Sequence, residues 1–194
     1  MKKGCFLLGL IGSILILYGF ILAFFKSNVF WYDYFVIGGT LLFGSINYKI
    51  GNAGLFALIK NKSINFLKLY ISYLIFAILI EIVGRFLLNL WFYPSSSVLD
   101  QIIYVFLIGY PFAFFFVYET FVMFNGKIRS KTLAFVFTFI FSAFLHEIPN
   151  VFVWSWIYTI PYIKFEIFQI NIVVIIGWSI LVLVPLLVKR YLKV

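Results

Sequence analysis

Long apolar runs bounded by charged residues limit most strongly what this sequence can fold into. Six runs occur, at about 5–25, 30–48, 64–93, 99–125, 132–160 and 168–188. Each is near the length of about 20 residues that one helix needs to cross a bilayer core. Of the 194 residues, 65% are apolar and 11% charged, whereas soluble domains carry about 25% charged residues. We predict a single all-α domain over 1–194, a polytopic transmembrane helical bundle of about six spans.

The basic residues fall mainly on one side of these predicted spans. Of the 15 Lys and Arg residues, twelve lie in loops or termini on one side, two lie on the other, and Arg85 lies inside the third span. Because basic loops stay in the cytoplasm, both termini should be cytoplasmic in a multi-pass protein of the cell membrane. This pattern accounts for the net charge of +9 without nucleic acid. Membrane lipids are the expected partners, and the sequence is compatible with an oligomer.

The third and fifth spans carry a similar motif. Glu81 is followed after nine residues by Trp91-Phe92-Tyr93, and Glu147 after eight residues by Trp156-Ile157-Tyr158. Both spans would run outward, so a true repeat would be related by an axis along the membrane normal. Chance similarity is the alternative, because Trp and Tyr are common in the aromatic belt at a membrane surface. Either way, we expect the aromatic residues at the outer surface.

Ionisable side chains at membrane depth require a partner or a function. The five candidates are Glu81, Arg85, Glu119, His146 and Glu147. Helical spacing predicts one polar stripe of Glu81, Arg85 and Asn89 and another of Ser142, His146 and Asn150. The helical rise places Glu81 about 15 Å below Trp91 and Glu147 about 13 Å below Trp156. The two carboxylates should therefore share a depth near the middle of the bilayer.

Three carboxylates face one permanent cation, Arg85, and one optional cation, His146. If each cation pairs with one Glu, the third carboxyl group favours its neutral form and can donate a proton. The candidate catalytic residues are therefore Glu81, Arg85, His146 and Glu147, with Glu119, Asn89 and Asn150 as secondary candidates. Two structural alternatives stay open. Glu81 and Arg85 can form a local ion pair, and Glu119 can reach Lys127 or Arg129 at the interface.

The predicted function is acid–base chemistry on a lipid or polyisoprenoid, carotenoid-like substrate in an intramembrane chamber. The alternatives are a proton-coupled carrier that uses the same carboxylates as relay groups and a non-catalytic membrane partner of another protein. No cofactor or metal is expected, because the chain has one Cys, one His and no Gly-rich phosphate loop.

Two resemblances to known families rest on these motifs. The acidic residue followed by W-x-Y, over residues 78–161, resembles the small carotenoid-modifying membrane proteins of the lycopene cyclase domain type. That resemblance implies acid-initiated cyclisation of a polyene by intramembrane carboxylates. Glu81-x-x-x-Arg85 and His146-x-x-x-Asn150 are similar to the E-E-x-x-x-R and H-x-x-x-N motifs of the CPBP intramembrane proteases, with Ile80 at the position of the first Glu.

Overall fold

The computed structural model describes residues 2–52, 54–61, 63–161 and 163–192, and this part of the chain is helical apart from loops and four two-residue strands. The helices are α1 (Lys2–Lys26), α2 (Trp31–Lys49), α3 (Leu55–Asn61), α4 (Ser63–Ile80), α5 (Val98–Asp100), α6 (Tyr110–Lys127), α7 (Lys131–Val153) and α8 (Ile172–Leu192). Two π-helical segments, π1 (Glu81–Leu87) and π2 (Gln101–Gly109), extend α4 and join α5 to α6. The strands are β1 (Trp91–Phe92), β2 (Ile157–Tyr158), β3 (Glu166–Ile167) and β4 (Ile170–Asn171).

Five helical segments in the described part are long and apolar enough to cross a membrane. They are Gly4–Lys26, Ile64–Leu87, Val98–Lys127, Lys131–Val153 and Ile172–Leu192. The prediction of an all-α membrane protein is confirmed. The predicted span at 30–48 is also helical, as α2, but its buried side includes Asp33, Thr40 and Asn47, which make it more polar than the other five.

The third and fifth predicted spans end earlier as helices than the sequence suggested. Helical structure stops at Leu87 in one and at Val153 in the other. Shortly after each end stands a residue in the left-handed conformation, Asn89 with φ 49° and Trp154 with φ 57°. A right-handed helix cannot continue through a positive φ. The two W-x-Y segments therefore leave the helices and contribute to β1 and β2.

The α1–α2 hairpin covers one side of the bundle formed by the later helices. Its two helices touch at backbone distance, because a Cβ added to Gly12 would lie 2.6 Å from the Gly38 carbonyl oxygen. The hairpin packs on α6 and α7 through a core that includes Trp31, Phe35 and Phe116. It thereby brings the start of α2 against the end of α7, where the Glu147 motif lies.

Candidate functional site: two carboxylates bound by aromatic donors

Glu81, the first residue of π1, is buried with three donors around one carboxylate oxygen. Its Oε1 accepts hydrogen bonds from Trp91 Nε1 at 3.1 Å, from the Tyr93 hydroxyl at 2.6 Å and from the Tyr110 hydroxyl at 2.8 Å. Its Oε2 has no hydrogen-bond partner but lies 3.7 Å from a guanidinium nitrogen of Arg85. Indole and phenol groups therefore solvate this carboxylate on one oxygen, and a cation neutralises it on the other.

Glu147, in α7, is bound in a similar way. Trp156 Nε1 donates to its Oε2 at 3.1 Å, while the Tyr158 hydroxyl and Trp178 Nε1 donate to its Oε1 at 2.8 and 2.9 Å. The single ion pair among the described residues is the one between Arg85 and Glu81, so Glu147 has no cationic partner there. Its carboxyl group is surrounded by three neutral donors alone.

The two motifs are brought together by the antiparallel pair β1–β2. Trp91 is paired with Tyr158, and Phe92 with Ile157. In an antiparallel pair, a local twofold axis through the Phe92–Ile157 position superimposes Trp91 on Trp156 and Tyr93 on Tyr158. The third donor comes in both cases from the next long helix, Tyr110 for Glu81 and Trp178 for Glu147. The two motifs thus share one local architecture.

The motifs differ by one residue in length, and π1 absorbs the difference. Nine residues separate Glu81 from Trp91, whereas eight separate Glu147 from Trp156. In a regular α-helix one extra residue would rotate Glu81 by about 100° relative to its donors. The first motif has its extra residue where the helix is π-helical, with hydrogen bonds to the fifth residue instead of the fourth. Both carboxylates can therefore face their own Trp and Tyr.

The structure gives the four W-x-Y residues a role that the motifs did not predict. Trp91, Tyr93, Trp156 and Tyr158 each donate to a buried Glu inside the protein. The predicted separations of about 15 and 13 Å between Glu and Trp are wrong for the side chains, because both indole–carboxylate distances are 3.1 Å. The expectation assumed a continuous helix, whereas the chain turns back at the left-handed residues.

The predicted polar stripe on the third span is only partly formed. Arg85 lies beside Glu81 and donates to Gln101 Oε1 at 2.7 Å, with its guanidinium 5.0 Å from the Tyr93 ring centre. Asn89 lies past the end of the helix with an exposed side chain, so it does not continue the stripe. Its backbone carbonyl instead accepts a hydrogen bond from the Thr159 hydroxyl.

His146 pairs with a tyrosine and not with a carboxylate. Its Nδ1 lies 2.9 Å from the Tyr32 hydroxyl, and its ring centre lies 4.4 Å from that of Trp178. It is 1% exposed. Although adjacent to Glu147 in sequence, it points elsewhere because successive helical residues differ by about 100°. The predicted pairing of protonated His146 with a second Glu is therefore not formed.

Glu119 binds both ends of the connection between α2 and α3. It is 0% exposed, accepts a hydrogen bond from Asn47 Nδ2 at 2.5 Å and another from the backbone N–H of Leu55, at the start of α3. The expected reach to Lys127 or Arg129 is therefore wrong. The Asn47 side-chain amide also donates to the backbone carbonyl oxygen of Glu119 at 2.8 Å. These contacts give Glu119 a structural role in the second half of α6, whereas Tyr110, which binds Glu81, is the first residue of that helix.

Asn150 positions Trp156 without touching Glu147. Its amide donates to the Trp156 carbonyl at 2.9 Å and its Oδ1 accepts from the Trp156 backbone N–H at 3.2 Å. The pair closes the turn between α7 and β2, which sets where the Trp156 indole lies. Asn150 is therefore a positioning residue.

We expect Asn150→Ala to lower the free energy of unfolding by about 1–3 kcal/mol, because two partly buried backbone groups lose their partner. Thermal unfolding in detergent, followed by circular dichroism, measures the loss, and Trp fluorescence reports displacement of the Trp156 indole. Asn125→Ala is the matched control, since Asn125 is exposed near the end of α6. Equal stability of the two variants would contradict the assigned role.

A cavity of about 600 Å³ lies beside the Glu147 motif. Glu147 lines it together with Tyr158 and Trp178, and Trp91 and Tyr93 of the first motif also belong to the lining. Of the four predicted catalytic residues, only Glu147 belongs to the lining; Glu81 lies behind its aromatic donors. Of the predicted chamber of Glu81, Arg85, His146 and Glu147, only the Glu147 carboxyl group is therefore open to a ligand in this cavity.

The cavity reaches the outer apolar face of the bundle. Leu79 of α4, Val83 of π1 and Ile180 of α8 line it, and they are also 48%, 49% and 58% exposed. All three belong to helices that are long and apolar enough to cross a membrane. The cavity is therefore continuous with the exposed apolar surface that α4, π1 and α8 form.

Sequence reasoning missed seven residues that build the site. Six are the aromatic donors; Trp91, Tyr93, Trp156 and Tyr158 were assigned to a belt, while Tyr110 and Trp178 gave no local signal. The seventh is Asp33, which is 7% exposed in the first turn of α2 and lines the cavity. An acidic residue within the predicted span at 30–48 was the signal for it.

The two tyrosines of the W-x-Y segments remain donors under ordinary conditions. Burial, the charge of Glu147 and the hydrogen bond to it raise the pKa of the Tyr158 hydroxyl well above its usual range. Burial and the neighbouring Glu81 act in the same direction on the pKa of Tyr93. Each phenol therefore keeps its proton and can pass it only by exchange along the hydrogen bond.

In the described part of the chain, no three His, Cys, Asp or Glu side chains are grouped to hold a metal ion.

The fold and this site define an all-α, multi-pass membrane protein with two buried carboxylates, each bound by Trp and Tyr donors. Its sequence matches no protein-family model and no curated protein, and its fold matches no solved structure.

Proposed function

We propose that this protein binds an apolar lipid of the polyisoprenoid class in its cavity and carries out acid–base chemistry on it, with Glu147 as the acid. The observation that carries the proposal is that Glu147, a carboxyl group with no cationic partner among the described residues, lines an otherwise largely apolar cavity. Ligand pockets of this kind combine apolar walls with a few placed polar groups. An intramembrane ionisable residue in such a place is a functional candidate by default.

The size and opening of the cavity support a lipid as the ligand. Its volume of about 600 Å³ lies within the range of about 300–1,000 Å³ that is typical of small-molecule sites. The exposed lining residues Leu79, Val83 and Ile180 give it a route to the bilayer. An apolar chain can follow that route without crossing water, which favours a membrane lipid over a soluble substrate.

The chemistry needs no redox partner. A neutral Glu147 transfers its proton to one carbon of a double bond, which leaves a carbocation on the other carbon and a carboxylate on the protein. The faces of aromatic residues in the lining, such as Trp156 and Trp178, stabilise a cation. The carboxylate then removes a proton from a neighbouring carbon to form a new double bond. The net reaction is then an isomerisation. If a second double bond of the same chain first attacks the carbocation, a ring C–C bond forms, the positive charge moves to a carbon of that second double bond, and proton loss beside it gives a cyclised product; in both cases Glu147 regains its proton.

The resemblance to the lycopene cyclase domain type supports the same reaction class. In that comparison the acidic residue and the W-x-Y segment are Glu147 with Trp156 to Tyr158, and Glu81 with Trp91 to Tyr93. The P-x-E-E signature of that family has no counterpart, since Pro111 is followed by seven residues without an acid. The proposal therefore specifies the substrate class and the acid, and not a particular polyene.

The proposed topology is six crossings of the cell membrane with both termini in the cytoplasm. The hairpin geometry of α1 and α2 supports α2 as the additional crossing, and the basic loops support the orientation. Cysteines placed in the loop at 127–131 and labelled from outside intact cells test it. Outward labelling of that loop would overturn the orientation.

Expression in a host that accumulates lycopene and other isoprenoids, followed by mass analysis of the lipid extract, tests the function. We expect a product isomeric with its precursor, and at least about a 100-fold loss of it in Glu147→Gln, because general acids contribute about 10²–10⁴-fold. Glu166→Gln, at an exposed position, is the matched control. An unchanged extract from folded protein would count against an enzyme. Loss of pH-dependent flux in Glu147→Gln without any product would instead favour the carrier.

A further inference from the structure

The cavity has two chemically different ends. Toward α4 and α8 it is lined by side chains such as Phe76, Leu79, Ile180 and Leu181. Toward the start of α2 and the loop before α5 it is lined by Asp33, Ser96 and Asp100. A pure hydrocarbon would leave the second end without a complementary group, so the lining is suited to a molecule with one polar end.

Asp33 is the group at that end that lacks a partner. It is 7% exposed, and its carboxylate lines the cavity. No hydrogen bond or ion pair joins it to any residue in the described part of the chain, whereas Glu81, Glu119 and Glu147 each have donors. Its oxygens are not among the fully buried unpartnered atoms of the described residues, so they are open to the cavity. A ligand that supplies a donor gives this carboxyl group the hydrogen bond that the protein does not provide.

The residues around the polar end of the cavity disfavour an anionic ligand end. Asp33 and Asp100 line it there, while no Lys, Arg or His occurs among the described lining residues of the cavity. Arg85, the nearest cation along the chain, is bound to Glu81 and Gln101 instead. A phosphate or carboxylate group would therefore meet like charge in a setting of low dielectric constant, which is strongly unfavourable.

We propose that the ligand is amphipathic, with an apolar chain that extends toward α4 and α8 and, at its other end, an uncharged or cationic hydrogen-bond donor, a hydroxyl or an ammonium group, that binds Asp33. This rests on the proposed binding of an apolar lipid, and it narrows the substrate class from polyisoprenoids in general to those with a donor head group. Asp100, whose Oδ2 accepts from Ser97, adds negative potential at the same end.

The test uses the full chain in dioleoylphosphatidylcholine nanodiscs, which carry no net charge. Quenching of Trp fluorescence measures binding of geranylgeraniol, geranylgeranylamine and geranylgeranyl phosphate. We expect the alcohol and the amine to bind at least about ten times more tightly than the phosphate. Asp33→Asn should weaken the binding of both by about ten-fold, and Asp33→Lys should reverse the preference. Glu166→Gln, at an exposed position, is the control.

Phosphate binding as tight as that of the alcohol, or unchanged preference in Asp33→Asn, would overturn the inference. Circular dichroism of Asp33→Asn confirms folding, and the near-identical shape of Asn keeps the comparison valid. The two proposals fail in different ways. Binding that depends on Asp33 without any product in the isoprenoid host contradicts only the acid–base function. A product that depends on Glu147, formed from a hydrocarbon with no binding of the alcohol or amine, contradicts only the role of Asp33.

Discussion

Replacing Glu147 by leucine is expected to lower the free energy of unfolding by about 3 kcal/mol or more, because three donors lose their acceptor at once and each buried donor left unpaired costs about 1–3 kcal/mol. The donors are Trp178 Nε1, which is buried, and Trp156 Nε1 and Tyr158 OH, which are partly buried. Partial relief comes from removing a buried polar group, which is why the expected total is not the full sum. The melting temperature in detergent, followed by circular dichroism, measures the effect.

Two further variants make that result specific. Glu166→Leu applies the same substitution at an exposed position, and we expect its melting temperature to stay near that of the wild type. Glu147→Gln keeps one carbonyl acceptor but turns an amide donor toward an indole donor, so its stability should lie between the two. A stable, folded Glu147→Leu protein would show that the aromatic donors do not depend on this carboxylate.

Adding one methyl group at Gly84 is expected to displace the Trp91 indole. A Cβ at this position of π1 would lie 1.8 Å from Cη2 and 2.2 Å from Cζ3 of Trp91. Because the ring is also bound to Glu81 through Nε1, it cannot move without breaking that hydrogen bond. We expect Gly84→Ala to lower the free energy of unfolding by about 2–4 kcal/mol, from overpacking and the lost bond together.

Gly177→Ala is the matched control for Gly84→Ala. Gly177 lies in α8, and a Cβ there would have no neighbour within 4 Å. Since alanine is the better helix former, this variant should be more stable by about 0.5–1 kcal/mol. Chemical denaturation in detergent micelles compares the two. Similar stabilities for both variants would mean that the Trp91 ring is free to move away from Gly84.

Hydropathy and charge were enough to predict the helical membrane fold, because the length and apolar character of each run can be read from that run alone. The same reasoning failed at the helix ends. A left-handed Asn89 or Trp154 is decided by contacts that each W-x-Y segment makes with the other, and these segments are 65 positions apart in sequence. Long-range pairing of two-residue strands leaves no periodic signal for a single sequence to show.

The sequence was enough to predict which acidic residues belong to the candidate site, but not which donors bind them. The cost of burying Glu81 and Glu147 marks them in any apolar run. Which oxygen meets which donor depends on the fold, however, and the spacing of nine residues instead of eight is explained only by the π-helical segment π1. Asp33 was not among the candidate residues, although it lies in the predicted span at 30–48. An acidic residue in an apolar run marks a candidate site, and the structure places Asp33 in the cavity lining.

Cross-strand neighbours in β1 and β2 serve opposite carboxylates. Trp91 and Tyr158 are paired across the strands, yet one donates to Glu81 and the other to Glu147. A slip of either strand by one residue would invert the side chains and withdraw a donor from both acids together. The two sets of donors are therefore coupled through the strand pair: separation of β1 from β2 disturbs a Trp and a Tyr donor of each carboxylate, whereas Tyr110 and Trp178 stay on their own helices.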